Sequence, residues 1–417
     1  MDIKSQIKTL AFLVLLLSFL SSNAWSTLPI GNDFFWWIIQ LVFIYILINF
    51  RNKTINISSE NNLDFINYFL VWAAICIIRG AFTADNYWEW KFLIANGFVL
   101  LMPLIVFLTI SLKTVQYIVH IWFKYALFIF LGITPFIHHD AIGKFLMPFT
   151  FLIIFFFILN KKWKIIVLFF LVYAITYDFG ARSNAIKFII PFIITFLFYF
   201  KNILQNKILN IVRLVLISVP ILLLFFGISG IFNIFKIEDF LGEQTVKTKS
   251  ISGEKGEESL TSDSRTGLYL EVIESAVKNN YVLWGRTPAR GNDSFSFGDY
   301  NKEVLRIGKA ERFSNEVSIL NIFTWLGLVG VVLYFIIFLK SSYLAINQSN
   351  NIFIKLIGLN VSFRWAFAFV EDFSVFDLSN IFLWLMIGMC FSENFRKMTD
   401  NQMKEWVFGI ISRKTIY

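Results

Sequence analysis

Cations near the ends of apolar segments are the residues of this sequence that could do chemistry. Placing a charged residue within a membrane span costs on the order of 2.5 to 3.5 kcal/mol on insertion scales, so such residues usually face a cavity and carry a function. A bound anion at the predicted outer ends of the spans would compensate their charge. Because arginine presents forked donors that match phosphate oxygens, a lipid-linked phosphate or diphosphate is the natural candidate. The cations concerned are Arg79, Arg182, Lys187 and Arg364.

Pairing between helices offers another explanation for the same cations. Arg364 precedes two carboxylates by a few residues, and an ion pair with Glu371 or Asp372 would satisfy it without a ligand. Both interpretations stay open for each of these cations.

Composition limits the class of protein that positions these residues. The chain has 417 residues, of which 57% are hydrophobic and only 16% are charged, too apolar for an ordinary soluble domain. The net charge of +9 does not indicate nucleic-acid binding, because the basic residues form no stripe that could follow phosphates. Cys76 and Cys390 lie in apolar segments, which predicts buried free thiols. We expect no metal and no cofactor.

Apolar segments close to the roughly 20 residues needed to cross a bilayer recur along nearly the whole chain. The sequence therefore predicts an all-α polytopic membrane protein with about twelve transmembrane helices. Residues 1–232 would hold nine spans, 233–315 a large loop, 316–391 three more spans and 392–417 a cytoplasmic tail. The predicted spans are 9–28, 34–50, 63–82, 91–111, 115–133, 142–159, 163–178, 185–200, 211–232, 316–339, 353–370 and 376–391.

The distribution of lysine and arginine predicts the orientation. Every second connection is basic, for instance at Lys161, Lys162 and Lys164, whereas the alternate short connections contain only Arg182. Basic residues are retained on the cytoplasmic side, so both termini are predicted to be cytoplasmic and the large loop extracytoplasmic. The N-terminal segment also has features of a signal peptide. We interpret it as an uncleaved first span, and either interpretation leaves the N-terminus inside.

The large loop is the candidate functional region. Residues 242–262 are polar and rich in Ser, Thr, Glu, Lys and Gly, which is typical of a mobile linker. Apolar residues then recur at helical spacing from Tyr269 to Val277, and Asp263 is predicted as the N-cap of an amphipathic helix lying against the membrane. The glycines and the proline of 284–298 indicate a loop.

Three stretches of the sequence carry a resemblance to a known family. Residues 180–183, Gly-Ala-Arg-Ser, stand at the outer start of a span, and Arg265 opens the amphipathic helix that is followed by Trp284 and Gly285. Residues 316–330 end in Leu-Gly-x-x-Gly. Together with the twelve-span layout and the large loop after the ninth span, these stretches resemble the O-antigen polymerase and O-antigen ligase family of bacterial envelope enzymes.

The resemblance implies a metal-independent glycosyl transfer outside the cytoplasmic membrane. A glycan on polyprenyl diphosphate would move to the non-reducing end of another lipid-linked repeat unit. Such a reaction needs cations that hold the departing diphosphate and a base for the proton of the acceptor hydroxyl. On this resemblance Arg182 and Arg265 take the first role and Glu316 the second. Arg286 and Arg290 would contact sugar or diphosphate, or are solvated loop charges. Glu316 could instead be a carboxylate that favours a helix N-terminus.

One departure from the family pattern separates polymerase from ligase. Ligases have a histidine near the start of the third stretch, where this sequence has Glu316, which favours a polymerase. The implied location is a bacterial inner membrane. The implied partners are a polyprenyl-diphosphate-linked oligosaccharide, membrane lipid and, as a further candidate, a chain-length regulator protein. A transporter or flippase is the alternative from another class, although no internal repeat supports it.

Overall fold

The structure is a computed structural model in which most of the described chain is helical. It describes residues 2–23, 30–58, 63–137, 139–177, 182–200, 205–236, 245–249, 255–259, 265–295, 298–303 and 308–412.

Helices follow one another along nearly the whole described chain, and a 3₁₀ helix, Met102–Ile110, continues the fourth of them. The helices are α1 Ile3–Asn23, α2 Asp33–Ser58, α3 Asp64–Thr83, α4 Tyr87–Leu100, α5 Leu112–Ile133, α6 His139–Phe145, α7 Pro148–Ile153, α8 Lys161–Thr176, α9 Arg182–Phe196, α10 Asn206–Ile228, α11 Thr266–Lys278, α12 Gly298–Glu303, α13 Ser318–Asn347, α14 Ile352–Phe367, α15 Leu378–Phe391, α16 Glu393–Lys397 and α17 Asp400–Ile411.

Eight of the described helical segments are long and apolar enough to cross a membrane, as expected of a helical membrane protein. They contain α1 to α5, α9, α10 and α13. Side chains that accept backbone N–H groups begin several helices, which satisfies donors that the first turn leaves unpaired. These caps are Asn86, Ser111, Asn160, Asn351 and Asp377.

The other four predicted spans are shorter or interrupted helices. The predicted span 142–159 is divided into α6, α7 and a 3₁₀ turn, and Pro148 begins α7 because its missing N–H is tolerated in a first turn. α8 and α14 have 16 residues each and α15 has 14. α14 and α15 are buried along most of their lengths, as core helices of a large bundle are. The total of twelve spans stays a prediction.

The centre of the bundle is formed by α13, α14 and α15, which pack against one another. Trp325 and Trp365 are almost fully buried there. The indole N–H of Trp365 donates to the carbonyl of Ile217 at 3.0 Å, which attaches α10 to this centre. Cys76 and Cys390 are buried free thiols, as the sequence predicted.

The predicted large loop contains folded elements. α11 confirms the amphipathic helix, with Leu268, Tyr269 and Val272 buried on one face, whereas the predicted cap Asp263 lies outside the described residues. In the stretch predicted as linker, β1 (Thr245–Lys249) pairs antiparallel with β2 (Lys255–Ser259). A second short pair joins β3, Asn292–Asp293, to β4, Glu311–Arg312. The side of the membrane on which these elements lie stays a prediction.

A turn of the loop fits into a break in α13. Gly327 interrupts this helix with a φ of 68°, a conformation that favours glycine. The freed N–H of Leu328 donates to the carbonyl of Val282 at 2.9 Å. The N–H of Arg286 donates to the carbonyl of Thr324 at 2.7 Å. The loop therefore replaces the helical hydrogen bonds that α13 loses at the break.

The segment predicted as a cytoplasmic tail is folded onto the bundle. The carbonyl of Trp406, in α17, accepts a hydrogen bond from the amide of Gln116 at 2.7 Å. Trp406 in turn donates its indole N–H to the carbonyl of Leu112 at 3.0 Å. Through these bonds α17 packs against the start of α5.

Replacing Gly327 with alanine should destabilise the protein. A Cβ at this position would overlap the amide nitrogen of Gly285 and the carbonyl oxygen of Leu283, and the positive φ adds strain of about 1 to 3 kcal/mol. We expect a lower thermal midpoint in lipid nanodiscs. The matched control is Gly132→Ala in α5, where a Cβ meets no atom within 4 Å and the midpoint should stay level or rise. Equal midpoints for the two variants would contradict the role of the break.

Candidate functional site

A polar cavity of about 790 Å³ opens at the end of the bundle where α1 ends and α2 begins. Its wall combines parts of α1, α2, α4, α6 and α9 with the segments that precede α11 and α13 and that join α14 to α15. Ligand sites typically have volumes of roughly 300 to 1,000 Å³. The charged residues in the wall are Asp33, Lys144, Lys187, Arg265, Glu316, Glu371, Asp372 and Asp377.

Arg265 and Glu316, both predicted as site residues, form an ion pair in this cavity. The Nε group of Arg265 also donates to the carbonyl of Val370, 3.1 Å away, which holds the guanidinium beside the end of α14. The second oxygen of Glu316 accepts a hydrogen bond from Arg312 at 3.2 Å. Both carboxylate oxygens of Glu316 are therefore already bonded to guanidinium groups.

Lys187 also reaches the cavity, from α9. It is buried and donates to Glu371 at 2.8 Å. Glu371 pairs with Lys187, and no ion pair joins Arg364 to Glu371 or to Asp372 in the described chain. The pairing considered from the sequence for Arg364 is thus not formed.

Arg364 lies in α14 behind the cavity wall. Its guanidinium donates to the hydroxyl of Ser379, a wall residue, at 2.9 Å, and it lies 4.6 Å from the centre of the Phe373 ring. Its Nε group has no hydrogen-bond partner among the described residues. Arg364 therefore places a buried guanidinium behind the wall, and no carboxylate of the described residues forms an ion pair with it.

Among the wall residues that the structure describes, carboxylates outnumber cations five to three. The cavity is therefore not the plain cluster of cations that the sequence suggested. Cations in a low-dielectric site need compensating charge when no ligand is bound, and Glu316 and Glu371 supply it to Arg265 and Lys187. A diphosphate offers a guanidinium the same pair of acceptor oxygens with more negative charge, so it can replace a carboxylate on Arg265.

Asp372 is a carboxylate of the cavity wall with an oxygen available to accept a proton. Its Oδ1 accepts hydrogen bonds from the backbone N–H and the hydroxyl of Ser374 and from the hydroxyl of Ser318. Its Oδ2 has no hydrogen-bond partner in the described chain. Burial raises the pKa of Asp372 to about 6, against the lowering effect of the bonds from Ser374. Such a pKa suits a general base near neutral pH.

Arg182 begins α9, as predicted, at the same end of that helix as Lys187. Its side chain lies outside the described part of the structure. Its role in binding diphosphate stays a prediction.

Arg79 was predicted to bind an anion, but it contacts backbone carbonyl groups instead. From α3 it donates to the carbonyl of Trp284 at 2.8 Å and to that of Gly285 at 3.2 Å. These residues belong to the turn that fits into the break of α13. In the structure Arg79 thus holds the loop against the bundle, and it is not among the residues of the cavity wall.

Arg286 and Arg290 were predicted to contact sugar or diphosphate, or to be solvated, and they instead belong to a partly buried ionic cluster between the loop and α4. Arg286 donates to Asp293 at 2.8 Å, and both arginines contact Glu311. The hydrogen bond to Glu311 raises the pKa of the Arg290 guanidinium above its usual value. Neither arginine is in the cavity wall. Glu311 lies 21 residues from Arg290 in the chain, and Glu89 belongs to α4.

An apolar groove of about 410 Å³ lies beside the cavity. It is formed by α10, by α11 and by the end of α14, and nearly all of its wall is apolar. Thr266 and Val370 lie in the wall of the groove, while the neighbouring Arg265, hydrogen-bonded to the carbonyl of Val370, lies in the wall of the cavity. The groove and the cavity therefore meet at Arg265.

Sequence reasoning treated Asp372 only as a partner for Arg364, and it did not consider Arg312. The signal for Asp372 was present, because Glu371 and Asp372 are adjacent acidic residues directly after a predicted span. Arg312 gave no comparable signal, since it stands among other charged residues of the loop.

The fold and the cavity define a helical membrane protein with a charged cleft at one end of its bundle. No protein-family model, no curated protein and no solved structure matches the chain. Its function is therefore inferred from the cleft and the groove beside it.

Replacing Arg79 with glutamine should destabilise the protein through the loop. The two hydrogen bonds to carbonyl groups of residues 284 and 285 are charge-assisted, and losing them should cost about 2 kcal/mol or more. We expect a lower thermal midpoint and faster proteolysis between α11 and α13. The control is Lys397→Gln, which removes an exposed pair with Glu393 and should change the midpoint little. An unchanged midpoint for Arg79→Gln, with loss of diphosphate binding, would restore the predicted anion-binding role.

Proposed function

We propose that the protein is a polysaccharide polymerase of the O-antigen type. It would transfer a glycan from polyprenyl diphosphate to the end of another lipid-linked repeat unit. The observation that carries this proposal is the convergence of Arg265, Lys187 and Asp372 in one cavity that meets an apolar groove. A substrate with a charged diphosphate between a sugar chain and a long hydrocarbon chain needs such adjoining polar and apolar sites.

The apolar groove would hold the first isoprene units of the polyprenyl chain. Leu270 and Ile273 from α11 and Val219 from α10 line it, and they offer hydrocarbon contacts only. With the chain in the groove, the diphosphate lies at Arg265 and the sugar in the polar cavity. In this arrangement α11 lines the groove for the polyprenyl chain, and Arg265 directly before it lines the cavity for the diphosphate and sugar.

The reaction forms one glycosidic bond and breaks one bond to phosphate oxygen. The acceptor hydroxyl oxygen attacks the anomeric carbon of the donor sugar. The bond from that carbon to the diphosphate oxygen breaks, and polyprenyl diphosphate leaves with the electron pair. The acceptor proton goes to a carboxylate, while cations stabilise the charge that develops on the leaving group.

Two carboxylates are candidates for the base. Glu316 was predicted for this role, but both of its oxygens accept from Arg265 and Arg312. Asp372 has an oxygen without a partner in the described chain and a pKa near 6. We therefore assign the proton to Asp372 and assign Glu316 to positioning Arg265 until the diphosphate replaces it.

Two alternative functions, a ligase and a transporter, would require different features of the structure. A ligase would use the same donor with a lipid A-core acceptor, and the cavity itself does not distinguish the two acceptors. A transporter commonly has helices broken around a substrate site. The break at Gly327 is instead occupied by the loop turn 282–286, which forms backbone hydrogen bonds with it.

The location proposed is a bacterial inner membrane, with both termini in the cytoplasm and the cavity on the outer side. This orientation rests on the distribution of lysine and arginine between the spans. A chain-length regulator remains a candidate partner on that side.

Deleting the protein in its native host should leave single repeat units on the lipopolysaccharide core. On a silver-stained gel, wild type should restore a ladder and Arg265→Gln should not, because the diphosphate loses its forked donor. The control is Lys278→Gln, which removes an exposed cation at the other end of α11 and should restore the ladder.

The same gel distinguishes the alternatives. Core without any repeat, together with polymer on the carrier lipid, would indicate a ligase. A ladder that is unchanged by the deletion would contradict polymerase function for this polysaccharide.

Polymerisation by the purified protein should depend on the protonation of Asp372. A base acts when deprotonated, so the rate should fall about tenfold per pH unit below the pKa of about 6. Asp372→Asn should lower the rate about 10² to 10⁴-fold. Glu316→Gln should keep the acidic limb of the pH profile. Loss of that limb in Glu316→Gln, with polymerisation retained in Asp372→Asn, would reverse the two assignments.

A further inference from the structure

One part of the cavity wall carries aromatic and amide groups in place of charge. α2 contributes Trp36, Trp37 and Gln40 to the wall, and α4 contributes Phe92 and Asn96. None of these residues takes part in the reaction proposed above. The polar groups among them are neutral, and they lie beside large aromatic surfaces.

Gln40 is the unusual residue in this part of the wall. Its side chain is buried, with 7% of the residue exposed, yet it forms no hydrogen bond within the described part of the chain. The nitrogen and oxygen of its amide are not enclosed by the protein but open onto the cavity. The amide of Gln40 thus offers two donors and an acceptor to the cavity. A ligand in the cavity can pair with these groups in place of water.

Trp37 and Asn96 add to the groups available to a ligand. Trp37 is partly buried in the wall and makes no hydrogen bond and no ring contact within the described residues. Asn96 is buried and its amide nitrogen donates to the carbonyl of Pro288 at 3.0 Å. That bond fixes the orientation of the Asn96 side chain, whose oxygen has no partner in the described chain.

Trp36 and Trp37 of α2 do not belong to an interfacial aromatic belt. Aromatic residues at a membrane interface face the lipid headgroups. On α2 that position is taken by Phe34, which is 66% exposed, and by its neighbour Phe35. Trp36 is only 5% exposed and its indole N–H donates to the carbonyl of Ile30 at 2.8 Å. Trp36 and Trp37 therefore face the cavity, whereas Phe34 faces outward.

We propose that Trp37, Gln40 and Asn96 form a glycan subsite that holds a sugar ring of the lipid-linked substrate. A sugar ring presents C–H groups on its faces, which pack on an aromatic ring whose π face is negative. It presents hydroxyl groups around its edge, which pair with the amides of Gln40 and Asn96. Neutral amides suit an uncharged sugar, whereas the diphosphate requires Arg265. The subsite thus divides the substrate between two parts of one cavity.

This inference rests on the proposed function, because it assumes that the cavity binds a glycan carried on diphosphate. The two can fail separately. The diphosphate part is measured with inorganic pyrophosphate, and the glycan part with the water-soluble glycan released by mild acid from the host's surface polysaccharide. The glycan carries neither lipid nor phosphate, so its binding reports the subsite alone.

The test uses the full chain in lipid nanodiscs, labelled with 5-fluorotryptophan. The ¹⁹F signal of Trp37 is identified as the one that Trp37→Phe lacks. We expect the glycan to shift this signal in a saturable way, and Gln40→Leu to weaken the affinity about tenfold, the effect of one lost hydrogen bond. Phe34→Ala, outside the cavity on the same helix, should bind glycan like wild type. A thermal melt of each variant confirms that it is folded.

Three outcomes would overturn the glycan subsite. A Trp37 signal that glycan does not move, together with calorimetric binding of pyrophosphate that Arg265→Gln abolishes, would overturn the subsite and leave the proposed function standing. The absence of both binding events would overturn both. An equal loss of glycan affinity in Phe34→Ala and Gln40→Leu would also overturn the subsite. In cells, Gln40→Leu should shorten the polymer ladder and Gln40→Asn should partly restore it.

Discussion

In the interior of a bilayer every backbone polar group needs a protein partner, and this constraint governs the structure around the break in α13. Gly327 interrupts the helix, and the loop turn 282–286 supplies the bonds that the helix loses. The indole N–H of Trp72, from α3, donates to the carbonyl of Leu326 at 2.9 Å and closes the break from the other side. The loop and the span therefore form one unit. The start of α13, with Glu316 before it, is fixed in place by this unit.

The cations Lys187 and Arg265 in the cavity likewise have partners within the protein. Lys187 is neutralised by Glu371, and Arg265 by Glu316, so neither cation is left uncompensated when the cavity is empty. The first pair joins α9 to the segment between α14 and α15, and the second joins the start of α11 to the segment before α13. A ligand that replaces Glu316 on Arg265 would leave this carboxylate paired with Arg312.

Hydropathy alone predicted most of the helices, because an apolar run of about 20 residues has few alternatives in a membrane protein. The helix after Arg265 was also predicted from its periodicity. The division of 142–159 was missed even though Pro148 marks it. The roles of Arg79 and Arg290 could not be predicted, because their partners are carbonyl and carboxylate groups that only the folded loop brings near.

The cavity residues were predictable in part for a similar reason. A charge at the end of a span is visible in the sequence, so Lys187 was found, whereas Arg265 was predicted from the family resemblance. Whether a carboxylate is paired depends on its neighbours in space, and this separates Glu316 from Asp372. The neutral wall of α2 carries no charge signal, and its Trp-Trp pair has the appearance of an interfacial belt in sequence. The burial of Trp36 and Gln40, and the lack of a hydrogen bond to Gln40 from the described residues, distinguish it from such a belt.

The most direct test of the account is to supply the purified protein, in lipid nanodiscs, with the lipid-linked repeat unit isolated from its host. The account predicts glycans of two or more repeats on the carrier lipid, with one polyprenyl diphosphate released for each new linkage. Equal amounts of released carrier and new linkages would support transfer in this cavity. Unchanged lipid-linked repeats, under conditions where the protein is folded and binds pyrophosphate, would contradict the account.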